Sequence, residues 1–384
     1  MKNYQTLNIN HNNLSFNNEI QNLKSSNQSI VIEDNKKKNY IEYFDWIRIF
    51  SSFGVILIHV SERYYYGNTP GKYEWKVLNF YDSLARWSVP EFFMISGALF
   101  LSKSSSIKKI FKKNIMKIGI SYFFWSLVYC IKLKFIKKIK LYDFIIKFII
   151  GHYHLWFLTS LIQLYMIVPF LLLLIENKII LKYFLFLSVF YTFFFRNIIL
   201  YSKYFIKKDI INIIEKIYSK FGNNKYISGD IFYFVFRYYL NKINTKNIKL
   251  ELIIYFFGLI GIIFGGKISL YISNKEKKTI GDCYHYQSIN VLIQSIAIFI
   301  FFKNYFNNLS FNKKFKKIIK KLGNYTFGIY LIHPLIIEEY DRIFNYNSLS
   351  FEPIFNVIFL SVIIFFTSLI FIIILNKTII KIFI

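Results

Sequence analysis

Residues 41–60 read IEYFDWIRIFSSFGVILIHV, and residues 103–117 read KSSSIKKIFKKNIMK. The first is an apolar block of the length a helix needs to cross a bilayer. The second is a lysine block. Blocks of these two kinds alternate along the chain, whereas a soluble core would alternate faces around each helix. The pattern predicts an all-α polytopic membrane protein, a bundle of about ten transmembrane helices. Candidate spans lie at 41–60, 84–102, 115–132, 153–175, 179–201, 226–241, 248–272, 286–306, 322–340 and 354–375. Segment 142–151 is too short to cross and reads as interfacial. Span 226–241 is the weakest, because Asp230 and Arg237 sit inside it.

Composition agrees. Of 384 residues, 55% are hydrophobic, and the mean hydropathy is +0.37. The abundance of Phe (45) and Tyr (31) fits an AT-rich genome, so single aromatic residues and lysines carry little signal. The net charge is 49 − 21 = +28. Such a charge can mean nucleic-acid binding, but here the lysines lie between the apolar blocks, as expected of cytoplasmic loops. No nucleic-acid partner is expected; the bilayer is. Two cysteines, Cys130 and Cys283, support neither a disulfide framework nor a metal cluster.

Residues 1–39 are polar, lack an apolar core and end in Lys36-Lys37-Lys38, so they read as a disordered cytoplasmic tail with no cleavable signal. Residues 40–376 form the membrane domain. Loop charge places both termini in the cytoplasm of a multi-pass plasma-membrane protein. Loops 103–117 and 303–321 are basic and inside; loop 338–353, with Glu338, Glu339, Asp341 and Glu352 against Arg342, is outside. One loop disagrees, since Lys132–Lys140 is basic yet falls outside.

Charges inside spans are costly and point to function. The first span carries Asp45-x-x-Arg48, ten residues, then His59. An eleven-residue step turns a helix by about 1100°, so Arg48 and His59 share one face, roughly 16 Å apart along the axis. Asp45 and Arg48 are one turn apart and can pair. Arg48 suits the phosphates of an acyl-CoA, with Asp45 beside it at the donor site. His59 suits a base for a sugar hydroxyl. The plainer alternative is an arginine snorkelling to the interface and a histidine bonded within the bundle.

Three more segments carry motifs. They are Arg86-Trp87-Ser88-Val89-Pro90-Glu91 running to Ser96-Gly97, His154-Leu155-Trp156-Phe157-Leu158 followed by Leu164-Tyr165 and Pro169, and Gly328-Ile329-Tyr330-Leu331-Ile332-His333-Pro334. Together with the first span they resemble acyltransferase family 3, in its surface-polysaccharide O-acetyltransferase type, over about residues 40–375. The resemblance implies some ten helices, an acyl-CoA donor on the cytoplasmic side, and an essential arginine and histidine that map onto Arg48 and His59. Two residues depart from the family pattern: Glu91 stands where an apolar residue is usual, and Arg237 where a glycine is usual.

The other candidates keep two readings each. Ser96-Gly97 either contacts substrate or allows close helix packing. Arg86 either snorkels or faces an anionic glycan or a lipid phosphate. Trp156 is a substrate contact or an interfacial belt residue. His333 contacts substrate or satisfies backbone freed by Pro334. Glu91 contacts substrate or pairs with a cation. His152 and His154, at i and i+2, do not share a helix face, and no metal site is expected. The sequence thus predicts transfer of an acyl group, acetyl from acetyl-CoA, to a hydroxyl of a cell-surface or lipid-linked glycan. His59 acts either as base or as transient acyl carrier. The rival class is an exporter or flippase of a lipid-linked glycan, its intramembrane charges lining a path. The lack of an internal repeat weighs against it.

Overall fold

The computed structural model describes residues 41–101, 106–206, 210–214, 216, 229–242, 247–307 and 309–378. The expected tail at 1–39 lies outside them. The described residues are helical and include no strand. We number the helices α1 Glu42–Tyr65, α2 Tyr73–Ala85, α3 Ser88–Leu101, α4 Met116–Lys137, α5 Leu141–Ile150, α6 Trp156–Glu176, α7 Lys178–Ser188, α8 Arg196–Phe205, α9 Gly229–Lys242, α10 Ile248–Glu276, α11 Ile289–Phe301, α12 Lys313–Phe344 and α13 Pro353–Leu375. π-Helical segments join several of them: Ile110–Ile115 leads into α4, and Val189–Phe195 joins α7 to α8.

Among the described residues, seven helical stretches are long and apolar enough to cross a membrane. They are Glu42–Tyr65, Ile107–Lys137, Leu141–Glu176, Lys178–Phe205, Ile248–Glu276, Asp282–Phe306 and Pro353–Leu375. Three of the ten expected spans are not among them. α3 and α9 have 14 residues each, roughly 21 Å of helix against some 30 Å of hydrocarbon. α12 carries lysines through its first turns and acids near its last. Large aliphatic and aromatic side chains face outward on the long helices, for example Phe256 and Ile263 on α10 and Phe359 and Phe371 on α13. In water such a surface would drive aggregation; in lipid it is the solvated face.

α1 is the central helix and packs on α2, α3, α12 and α13. α3 and α9 approach so closely that a Cβ on Gly97 would sit 1.8 Å from the Phe234 carbonyl oxygen. Gly97 is therefore a packing residue.

Side-chain contacts gather the loops into two ends. At one, Lys316 pairs with Glu42 at 2.7 Å, and Trp46 meets Phe306, Phe311 and Phe315. This is the basic end, bearing the lysines that precede α4 and open α12. At the other, Arg63 pairs with Asp341 at 2.7 Å, Tyr73 bonds Glu352, Lys203 pairs with Asp282 at 2.6 Å, and Trp75 bonds Thr279. This is the acidic end. The exceptional basic loop belongs here: Lys132 lies 2.7 Å from Glu338 and 2.8 Å from Glu339. One of its five lysines is thus paired with the acidic segment, which a count of lysines per loop cannot register.

α12 contains Pro334, which has no N–H to give the helix. Tyr129 of α4 enters the opened turn. Its hydroxyl donates to the Leu331 carbonyl at 2.9 Å and accepts from the Leu335 N–H at 3.2 Å. These are the two groups that would bond each other in an unbroken α-helix, so one phenol replaces one rung of the ladder.

Candidate functional site

Arg48 stands on α1, and its Nη1 lies 2.5 Å from Asp45 Oδ1. α12 is close behind the carboxylate: a Cβ on Gly323 would fall 2.6 Å from that same oxygen. The pair is positioned by helix contact as well as by the i, i+3 spacing. Arg48 lines a cavity of about 290 Å³. Asn114, Lys117 and Asn324 supply its other long polar side chains, and Ser96, Phe92, Leu161, Tyr165 and Tyr330 are among its remaining walls. The site is thus a few cations and amides joined to a largely apolar chamber. Sequence reasoning missed Lys117 and Asn324. Lys117 was masked by its many lysine neighbours, and Asn324 carries no charge to mark it.

His59 lies farther along α1 and is half-buried. Its ring is 5.2 Å from that of His333 and 5.4 Å from that of Tyr153. His333 is fully buried; its Nδ1 faces the Ile329 carbonyl at 3.2 Å, and its Nε2 has no hydrogen-bond partner. Beyond it stands His154, ring to ring at 5.7 Å. His154 Nδ1 meets His152 Nδ1 at 2.8 Å, and His152 Nε2 lies 3.3 Å from Glu338. Four of the chain's six histidines are therefore contiguous. The His59–His333 proximity joins two candidates named from the sequence. The other two do not share a regular helix: His152 is extended, just before the 3₁₀ turn at 153–155 that holds His154.

His59 does not line the Arg48 cavity. The cavity ends at Tyr330, whose hydroxyl donates to the His154 carbonyl and whose ring is 6.0 Å from that of His333. On its other side, His59 Nδ1 is 3.9 Å from Glu62, and Glu62 is 3.8 Å from Arg86. Glu62 was missed, although its i+3 spacing from His59 is legible.

Arg86 does not snorkel. Its Nη2 is 2.5 Å from the fully buried Asp82, and its guanidinium lies over the Tyr284 ring at 5.0 Å. With Ile58, Val89, Trp156, Tyr284, His285 and Tyr286 it lines a second cavity of about 360 Å³. Trp156 is stacked on Tyr286 at 5.4 Å and 12°. Phe93 is in ring contact with both Trp156 (6.4 Å) of this cavity and Phe157 (4.9 Å) of the first.

The two residues that depart from the family pattern line neither cavity. Glu91 is fully buried, and neither oxygen has a hydrogen-bond partner. Arg237 is also buried, 3.4 Å from the Tyr43 hydroxyl and stacked over Phe44 at 4.7 Å. No ion pair joins them among the described residues.

None of the four clustered histidines lines either cavity; the cluster meets the first through the ring of Tyr330 and neighbours the second through Ile58, next to His59 in the chain. The family profile described as an acyltransferase domain, acyltransferase family 3, matches residues 41–377, so the chain belongs to that family and is an acyltransferase. No curated relative and no solved structure matches it.

Proposed function

We propose that the protein transfers an acyl group, acetyl in the first instance, from acyl-CoA in the cytoplasm to a hydroxyl of a cell-surface or lipid-linked glycan. In this reading the chain crosses the plasma membrane about ten times, with α3, α9 and α12 as the three further crossings and the basic end inside. The observation that carries it is the family match over residues 41–377, together with one cavity beside Arg48 and another beside Arg86 and Trp156.

Arg48 and Lys117 hold the donor's phosphates, Arg48 through its guanidinium fork, and Asp45 fixes the orientation of Arg48. The apolar chamber takes the pantetheine arm, and the thioester comes to its end at Tyr330. His59 removes the proton of the acceptor hydroxyl as its oxygen attacks the thioester carbonyl. The C–S bond breaks, the acyl group passes to oxygen, and the thiolate of CoA takes the proton back from the imidazolium. Glu62, 3.9 Å from Nδ1, helps to orient His59. Arg86, Trp156 and His333 face the acceptor, and Ser96 lines the donor chamber.

An exporter of the same glycan would line one path with its intramembrane charges, whereas Arg48 and Arg86 line two different cavities. The deciding experiment is acetyl-CoA turnover by purified protein, together with the mass of the surface glycan in cells with and without the gene. Donor consumption and a glycan heavier by one acetyl unit are expected. An unchanged glycan and an unused donor would overturn the proposal. Orientation is tested by single cysteines and an impermeant thiol reagent. Cys130 and Cys283 are buried, so the background is silent. The exposed Ser350→Cys should label in intact cells and the exposed Ser310→Cys should not; the reverse pattern inverts the sidedness.

A further inference from the structure

A third cavity, also of about 360 Å³, opens at the acidic end and is lined by Tyr66, Arg196, Leu200, Gly281, Asp282 and His285 among others. It shares His285 with the cavity beside Arg86. The two arginines of these neighbouring spaces differ. Arg86 is held by Asp82 at 2.5 Å and faces Glu62 at 3.8 Å, so its charge is answered within the protein. Arg196 makes no ion pair among the described residues, and its Nη1 is buried without a hydrogen-bond partner. The acid beside it, Asp282, is already engaged by Lys203 and Tyr204, each at 2.6 Å.

A guanidinium N–H removed from water with no acceptor is costly, and the planar fork matches a carboxylate or phosphate. The neighbouring cavity meanwhile offers the stacked Trp156–Tyr286 pair, a flat face of the kind that packs against an apolar sugar face.

We propose that the two cavities meeting at His285 are one elongated acceptor site for an anionic sugar. The ring lies by Trp156 and Tyr286, with a hydroxyl toward the histidine cluster, and the carboxylate or phosphate binds Arg196. This deepens the acceptor side of the proposed function and rests on it. It adds a charge requirement: a neutral sugar leaves Arg196 unanswered and binds more weakly.

The test uses the full chain in phosphatidylcholine nanodiscs without acyl-CoA. Glucose 1-phosphate, methyl glucuronide and glucose are titrated by calorimetry. The two anions should bind saturably and glucose about tenfold more weakly or worse. Arg196→Gln should weaken the anions to the level of glucose and leave glucose unchanged. Leu200→Trp, which fills the cavity while keeping the arginine, should also weaken the anions. Failure of both anions to bind, anions no tighter than glucose, or anion binding unchanged in both variants overturns the proposal. If doping the nanodiscs with phosphatidylglycerol displaces both anions, the cavity holds a lipid headgroup and the sugar assignment falls. Acetyl-CoA binding is measured on the same preparations. Its absence would defeat the donor reading while leaving the anion result intact, so the two failures are distinguishable.

Discussion

The cavity beside Arg48 and the cavity beside Arg86 share no lining residue, and they are built on different principles. The first sets Arg48 and Lys117 against a largely apolar chamber, an arrangement for a long ligand with a charged head and a thin apolar tail. The second surrounds Arg86 with aromatic rings and balances its charge with the carboxylates of Asp82 and Glu62, an arrangement for a compact polar ring. A transporter would keep one chemistry along its path, because one ligand must pass all of it. Two cavities of different chemistry suit the two ligands of the proposed transfer.

The hardest test of that contrast is to remove the base that the proposed transfer needs. His59→Ala should lower acyl transfer by about 10²- to 10⁴-fold, with acetyl-CoA affinity near wild type. Near-wild-type turnover, measured on purified protein, would break the assignment of His59 as base.

Next in size is a change confined to one side. Arg48→Lys keeps the charge and loses the fork, so acetyl-CoA affinity should fall by about tenfold. Trp156→Ala should leave that affinity unchanged and raise the KM for acceptor. Calorimetry of the donor on both variants sharpens the comparison if they separate, and erases it if they respond alike.

A smaller effect is expected where the two halves of α12 are joined. Tyr129→Phe deletes the hydroxyl that bridges Leu331 and Leu335, at a cost of about 1–3 kcal/mol for backbone groups left unpaired. A lowered melting temperature in detergent with unchanged donor affinity is the expected result.

The least is expected of the clasp at the acidic end. Partial burial acts to raise the Asp341 carboxyl, but hydrogen bonds from Tyr64 and Arg63 outweigh it and hold it below its ordinary value. A carboxylate lowered on folding contributes stability above its unfolded value and loses it as pH falls through the folded one. Asp341→Asn should therefore cost under about 1 kcal/mol at neutral pH, because the pair is partly exposed. The variant should also flatten the acid limb of a stability profile. A wild-type limb of the same steepness would exclude this pair as its source.

Much of this molecule is legible in one dimension because lipid enforces simple rules. Apolar blocks of about 20 residues must be helices, and charges within them need a reason. That logic found Arg48, His59, Arg86 and His333, and the structure brings His59 and His333 together. The same logic applies to Arg196 inside span 179–201, which the reading passed over. The contact between the rings of His152 and His154 was not legible for a different reason: periodicity assumes a regular helix, and His152 is extended before a 3₁₀ turn. Burial and orphaned atoms, which single out Arg196 and Glu91, depend on neighbours far along the chain and leave no local trace. Helix length was also poorly legible, since α3 begins only at Ser88 after the Arg86-Trp87 turn.

The phenol lodged in α12 has a bearing on how the protein is made. Its two bonds join Tyr129 to residues 202 and 206 positions later in the chain. α4 thus leaves the ribosome long before the segment it completes. When α12 enters the bilayer, Pro334 has no N–H for the Tyr330 carbonyl, and without α4 the Leu331 carbonyl and the Leu335 N–H lack the bonds that Tyr129 gives them. Insertion and docking are therefore separate events for this helix, and only docking on α4 finishes its backbone. An orphaned α12 carries an exposed polar notch in lipid, the kind of mark by which membrane quality control can tell an unassembled chain from a finished one.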